Sequence, residues 1–167
     1  VSENLRRAVS NGNDIHAREG MFYAQYLAGM AFNNASLGHV HAMAHQLGGF
    51  YNLPHGECNA ILLPIVEEYN LLAHLDKFIN IARMMDEHVD GLSKRDAAEL
   101  AISAIRRLSQ DVGIPSSITA LAKRYGKEVS RDDIPTMVAN AQKDACGLTN
   151  PRKMTDAAVQ HLYEIAF

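Results

Sequence analysis

The sequence has no tryptophan, and only 7% of its residues are aromatic. It also has no segment in which β-branched residues alternate with polar ones in the period of a strand. Both absences argue against a β-sandwich or β-barrel, because aromatic and β-branched residues in a period of two are typical of sheets. Alanine, leucine, isoleucine and methionine dominate the apolar 47% of the chain, and these residues favour helices. We therefore predict an all-α fold.

Three further absences exclude classes of function and location. The formal net charge of −3 leaves no basic surface for nucleic acid, so we expect no nucleic-acid partner. No apolar run approaches the roughly 20 residues that cross a bilayer, and the polar N-terminus has no apolar stretch of the signal-peptide kind, so we expect no membrane partner. The two cysteines, Cys58 and Cys146, lack CxxC spacing and fit a reducing compartment. We predict a cytoplasmic location.

The chain also lacks an initiator methionine. Its first nine residues have the pattern of a helix already in progress, which residues 10–13 would end. The 167 residues are enough for one domain with a good core and too few for two. We therefore expect a single domain over residues 1–167 that is a piece of a longer polypeptide.

Apolar periodicity predicts helix after helix along the chain, with cap residues at their starts. The predicted helices run from Asp14 to about Asn34, from Leu37 or Gly38 to a break at Gly48–Gly49, from Leu53 onward with a kink at Pro64, from about Leu71 to Glu87, from Ser93 to near Gly113, from Ser117 to Arg124, from Ser130 or Asp132 to Ala145, and from Thr155 to Phe167.

Half of the eight histidines fall within residues 39–55. His41 and His45 are one helical turn apart and share a face. His55 follows the predicted break, where the chain can fold back and present a third imidazole. Neutral imidazole binds divalent ions, and its pKa lies near neutral pH, so metal binding and proton transfer both stay open. His39 points elsewhere on the helix, and we expect it to be structural or exposed.

Two familiar motifs are excluded. A zinc-protease helix requires a glutamate directly after its first histidine, and Ala42 stands at that place. A dinucleotide-binding loop requires a glycine-rich turn between a strand and a helix, and Gly48–Gly49 with Gly56 does not form one. Spacing alone therefore predicts a helical, histidine-rich site that has the donors for a metal ion.

Five short motifs carry a resemblance to a known family. They are Leu27–Asn34 (LAGMAFNN), Gly38–Gly49 (GHVHAMAHQLGG), Pro54–Gly56 (PHG), Asn59–Pro64 (NAILLP) and Asn150–Arg152 (NPR). Together they strongly resemble the iron-containing (group III) alcohol dehydrogenases, most of all the branch of 1,3-propanediol and NAD-dependent methanol dehydrogenases. The similarity covers essentially the whole chain, but only the C-terminal half of a family member. It implies the multihelical C-terminal domain of the dehydroquinate synthase-like architecture, without the N-terminal α/β dinucleotide-binding domain.

The resemblance also implies roles for individual residues. Family members bind one divalent ion, Fe(II) or Zn(II), through an aspartate and three histidines, two of which match His41 and His55. The other two ligands belong to an upstream D-x-x-x-H motif that this sequence lacks. His45 matches a histidine beside the nicotinamide and the substrate, which implies proton relay and cofactor binding. Phe32 and Cys146 match positions that line the substrate pocket, although Cys146 can equally be a small buried apolar residue.

The function implied is that of the metal-binding domain of an NAD(P)-dependent alcohol dehydrogenase. Such an oxidoreductase interconverts a short-chain primary alcohol or diol and its aldehyde by hydride transfer. NAD(P) would be held mainly by the missing domain, so we expect the isolated chain to be inactive, and we expect the enzyme to be a homo-oligomer, a dimer or larger. Two alternatives stay open: a noncatalytic helical domain for dimerisation or partner binding, and a metal- and NAD-dependent lyase of the dehydroquinate synthase type.

Overall fold

The computed structural model describes all 167 residues, and every regular element in it is helical. The nine α-helices are α1 (Leu5–Ser10), α2 (Ile15–Ala35), α3 (His39–Tyr51), α4 (His55–Asn70), α5 (Leu75–Met84), α6 (Lys94–Asp111), α7 (Ile118–Arg124), α8 (Ile134–Ala141) and α9 (Asp156–Ala166). Short 3-10 segments lie at Leu71–Ala73, Arg131–Asp133 and Ala145–Thr149. The prediction of an all-α fold is confirmed.

Side-chain caps set the start of four of these helices. Asp14, Ser93, Ser117 and Thr155 each accept a hydrogen bond from the backbone N–H three residues further on. Those N–H groups have no partner inside the helix, so the cap stabilises the first turn. The predicted starts at these positions therefore agree with the structure.

The predicted break at Gly48–Gly49 is wrong, because α3 continues through both glycines to Tyr51. Two glycines cost the helix about 1 kcal/mol each relative to alanine. Packing compensates, since Leu47 is fully buried on the same helix. The helix ends instead at Asn52, whose left-handed backbone (φ 52°, ψ 45°) directs its N–H to the Gly48 carbonyl at 2.9 Å. Asparagine tolerates this conformation better than most residues.

Two other predicted boundaries were also wrong. The helix expected from Leu71 to Glu87 is a 3-10 segment followed by α5, and it ends at Met84. The helix expected to reach Ala145 ends at Ala141. The Asp144 carboxylate accepts the Cys146 N–H at 2.9 Å, and this local bond favours a turn over continued helix. Pro64 lies inside α4, which continues past it; the kink there stays a prediction.

The chain divides into two compact units. The first contains residues 1–36 and 74–113, where α1 packs on α2 and α5 packs on α6. The second contains residues 37–73 and 114–167, where α3 packs on α4 and α8, and α9 packs on the same two helices. The single domain over residues 1–167 stays a prediction.

The hydrophobic core of the second unit lies under α3. Its largest fully buried side chains are Met43, Leu47, Leu62, Val66, Ile118, Leu121, Met137, Val159 and Tyr163. Burying these side chains contributes about 1.5–3 kcal/mol each. Because Met43 and Leu47 occupy the inner face of α3, the same helix turns His41 and His45 toward its outer side, where they are half-buried and exposed.

The first unit leaves much of α2 uncovered. Among its 21 residues, only Ala17 is buried. Large apolar side chains on it are exposed, namely Ile15, Phe22, Tyr23, Tyr26, Leu27, Met30 and Phe32. Neither α2 nor any other helix combines the length and the apolar character that crossing a membrane requires.

Candidate functional site

The start of the histidine-bearing helix α3 is held by Asn150. Its Oδ1 accepts the backbone N–H of His39 at 3.2 Å, and its amide forms a reciprocal pair with the amide of the buried Asn70. The Thr149 hydroxyl donates to the Leu37 carbonyl just before the helix. A free N–H at a helix start needs a partner, and here a distant loop supplies it. Asn150 and Thr149 therefore hold the N-terminal end of α3, the helix that carries His41.

The structure brings His41, His45 and His55 together. The ring centroids are 6.2 Å apart for His41 and His45, 5.4 Å for His41 and His55, and 5.3 Å for His45 and His55. The rings of His45 and His55 are stacked at an interplanar angle of 20°. The first two come from successive turns of α3, and the third is the first residue of α4.

The separation of His41 and His55 suits a shared ion. Two imidazoles that bind one metal at about 2.1 Å in a tetrahedral site have ring centroids about 5 Å apart. The observed 5.4 Å is close to this separation, and so is the 5.3 Å between His45 and His55, so the family resemblance is what assigns the ion to His41 and His55. Neutral imidazole suits Fe(II) and Zn(II) alike. The donor set therefore fits the ion that the resemblance implies.

The surroundings of His41 favour the neutral ring that a metal requires. Burial lowers the pKa of His41, and the nearby His55 and His45 rings lower it further. The Asn59 amide lies 2.9 Å from His55 Nε2 and also donates to the His55 carbonyl. One ring nitrogen serves one partner, so an ion on Nε2 would have to displace this amide.

Asp144 is the site residue that the sequence analysis missed. Its Oδ2 lies 2.7 Å from His45 Nδ1, and its Oδ1 accepts the Cys146 N–H. Burial alone would raise the pKa of Asp144, but the hydrogen bonds with His45 and Cys146 bring it below its usual value. Ligand atoms of His45, Asp144 and Cys146 all lie within 4.8 Å of one another. The only local signal was an aspartate two residues before a candidate cysteine, a common turn arrangement.

The remaining predicted residues have different surroundings. Cys146 is half-buried beside Asp144, and burial followed by that carboxylate raises the pKa of its thiol. Phe32 lies on α2 in the first unit, with an exposed fraction of 49%, and its pocket role stays a prediction. His39 is buried, and a Cβ on Gly147 would lie 3.0 Å from its ring, so the expectation of an exposed ring is wrong and its structural role stays a prediction. Cys58 is buried, and both cysteines are free thiols.

Comparisons with known proteins agree with the resemblance. The family model described as "Fe-containing alcohol dehydrogenase family, C-terminal" matches residues 1–167. The chain is 52% identical to 1,3-propanediol dehydrogenase of Citrobacter freundii over 167 residues, which are 100% of this chain and 42% of that protein. It is 46% identical to NAD-dependent methanol dehydrogenase of Bacillus methanolicus over 155 residues, 93% of this chain and 39% of that protein.

A solved structure agrees as well. The crystal structure of a 1,3-propanediol oxidoreductase superposes with a TM-score of 0.94 at 51% identity, covering 99% of this chain and 42% of that one. The chain thus spans less than half the length of these relatives. Since the family model covers every residue, the chain belongs to the Fe-containing alcohol dehydrogenase family and corresponds to its helical C-terminal domain.

Proposed function

We propose that the chain is the metal-binding part of an NAD(P)-dependent alcohol dehydrogenase that interconverts a short-chain primary alcohol or diol and its aldehyde. The observation that carries this proposal is the 5.4 Å separation of the His41 and His55 rings on two packed helices. The names of the relatives support the substrate class, because one acts on 1,3-propanediol and another on methanol.

His41 and His55 would hold the ion, and its other ligands would come from outside these residues. Fe(II) or Zn(II), when bound, supplies a Lewis acid that lowers the pKa of an alcohol hydroxyl. The lowered pKa of His41 keeps its ring in the neutral, metal-binding form near neutral pH. NAD(P), held mainly by the missing part of the enzyme, supplies the hydride acceptor.

His45 would accept the hydroxyl proton and pass it to solvent. Its side chain has an exposed fraction of 39%, so water can reach the ring. It also stacks on His55, which would keep it beside the proposed ion, and the family resemblance gives it the relay role rather than a ligand role. A general base placed in this way contributes about 10²–10⁴-fold to a rate.

The remaining assignments follow from the same proposal. Phe32 and Cys146 would line the substrate pocket. The enzyme would be a cytoplasmic homo-oligomer, and the isolated chain would not turn over substrate.

The test uses the full-length polypeptide that contains this chain. Metal analysis and NADH absorbance with short primary alcohols are compared for His41→Ala, His55→Ala and His45→Ala. The first two variants should lose metal and activity together, whereas His45→Ala should keep the metal and lose about 10²–10⁴-fold in rate. His161→Ala, an exposed histidine on α9, is the matched control and should keep both.

The same assay separates the two alternatives. Bound metal without any NADH formation would favour the lyase of the dehydroquinate synthase type. Absence of both metal and NADH would favour the noncatalytic helical domain. Loss of metal in His45→Ala would mean that the ligand and relay roles have been assigned to the wrong histidines.

A further inference from the structure

Asp144 joins the histidine cluster from a loop that is distant in sequence. We propose that Asp144 is a positioning residue that holds His45 with its proton on Nδ1, so that Nε2 is the nitrogen that accepts a proton. This inference rests on the proposed role of His45. It adds to the proton relay the residue Asp144, which neither the composition nor the residue spacing of the sequence pointed to.

The first argument is the chemistry of the contact. An ionised carboxylate can only accept hydrogen bonds, and the pKa of Asp144 lies below its usual value. The 2.7 Å separation between Asp144 Oδ2 and His45 Nδ1 is that of a charge-assisted hydrogen bond. Nδ1 must therefore carry the hydrogen. In a neutral imidazole the other nitrogen, Nε2, is then the acceptor.

The second argument is that Asp144 is itself fixed. Its Oδ1 accepts the Cys146 N–H at 2.9 Å, and its carbonyl accepts the Gly147 N–H at 3.0 Å. Its side chain is only 18% exposed, against 39% for His45. The carboxylate is thus built into a turn and points at a more exposed ring. In a catalytic triad, an aspartate in the same relation to a histidine holds the imidazole in the tautomer and orientation that its role as a base requires.

A metal-binding role for Asp144 is the competing explanation. His45, Asp144 and Cys146 offer three ligand atoms within 4.8 Å of one another. However, both oxygens of Asp144 already accept hydrogen bonds, one of them from the backbone N–H of Cys146. An ion there would need to replace at least one of these bonds, so the positioning role is favoured.

The sharpest test is Asp144→Asn in the metal-free form of the full-length polypeptide that contains this chain. The Cys146 N–H needs an acceptor, so the single amide oxygen should stay with it, and the amide NH₂ should face His45. Nδ1 would then have to accept, and the hydrogen would move to Nε2. Side-chain ¹⁵N NMR reads the tautomer of a neutral imidazole directly. We expect Nδ1–H in the unmodified chain and Nε2–H in Asp144→Asn.

Two variants control this measurement. Asp14 is paired in the same way, with Oδ1 accepting the Ala17 N–H and Oδ2 accepting from Arg7, so Asp14→Asn should leave His45 in the Nδ1–H form. Asp144→Glu keeps a carboxylate that can only accept, and it should restore the Nδ1–H tautomer at least in part. An unchanged tautomer in Asp144→Asn would overturn the proposal.

Kinetics of the full-length enzyme provide a second, independent readout. Asp144→Asn should lower kcat, by at most the roughly 10²–10⁴-fold expected for losing His45 as a base, and should leave KM and bound metal unchanged. Adding it to His45→Ala should cost nothing further, because Asp144 acts through that ring. Loss of bound Zn(II) in Asp144→Asn would overturn the positioning role in favour of ligation. Full activity of His45→Ala would instead refute the proposed relay role of His45, while the tautomer result would stand.

Discussion

Asn70 and Asn150, which are 80 positions apart in the sequence, donate hydrogen bonds to each other through their side-chain amides. The distances are 2.8 Å and 3.2 Å, and Asn70 is only 1% exposed. The same Asn150 oxygen accepts the His39 N–H at the start of α3. This pair therefore links the end of α4, the loop before α9 and the helix that carries the histidine cluster.

Asn150→Ala should destabilise the chain substantially. It would leave the buried Asn70 amide and the His39 N–H without their partner, at a cost of about 2–3 kcal/mol in the free energy of unfolding. Urea unfolding followed by circular dichroism measures this change. Asn140→Ala, at an exposed position of α8, is the control and should stay within about 0.5 kcal/mol. Equal midpoints for the two variants would contradict the anchoring role of Asn150.

Tyr163→Phe should weaken the packing of α9 on α3. The Tyr163 hydroxyl is fully buried and donates to the Met43 carbonyl at 2.9 Å. Removing the hydroxyl should lower the free energy of unfolding by about 1–2 kcal/mol, because the Met43 carbonyl then keeps only its helical hydrogen bond. Thermal or urea unfolding tests this prediction. Tyr125, whose exposed hydroxyl donates to Glu57, provides the comparison. Tyr125→Phe should lower the free energy of unfolding by less than Tyr163→Phe does.

Glu67→Gln should stabilise the chain at neutral pH and much less in acid. Burial raises the pKa of Glu67, although a hydrogen bond from Asn70 opposes the shift. Because the folded state binds this proton more tightly than the unfolded state, stability decreases as the pH rises through the unfolded pKa of about 4.3 toward the folded one. The advantage of the glutamine variant should therefore appear above that range and vanish below it.

Unfolding curves at several pH values measure this difference. Glu128→Gln, at an exposed position, is the control and should give a difference that varies little with pH. A variant less stable than the parent at pH 7 would show that the ionised Glu67 carboxylate is stabilising.

The isolated chain should bind Fe(II) or Zn(II) more weakly than micromolar. His41 and His55 are only half of the four ligands that the family resemblance implies, and fewer ligands give a weaker chelate. Calorimetry under anaerobic conditions measures the affinity, with the double variant His41→Ala/His55→Ala as the control that removes the residual binding. Micromolar or tighter binding would contradict the prediction. Binding that survives in the double variant would point to His45, Asp144 and Cys146.

Most of the helices could be predicted because their signals are local. Asp14, Ser93, Ser117 and Thr155 cap helices through bonds that span three residues, and the apolar period of each helix is written in consecutive turns. The predicted break at Gly48–Gly49 failed for the opposite reason. Glycine propensity is a local and weak preference, and the packing of α3 in the core outweighs it.

In the candidate site, too, some features follow from local sequence and others only from long-range packing. His41 and His45 could be placed on one face from their spacing alone, because helix geometry decides it. The contact between Asp144 and His45 spans 99 positions, and the one between Asn150 and His39 spans 111. No local pattern encodes such pairs, because they arise only when α8 and α9 pack against α3 and α4 and carry their connecting loop to the histidines. Local patterns therefore account for the helices and the imidazole donors, whereas long-range packing selects the carboxylate and the amides that hold them.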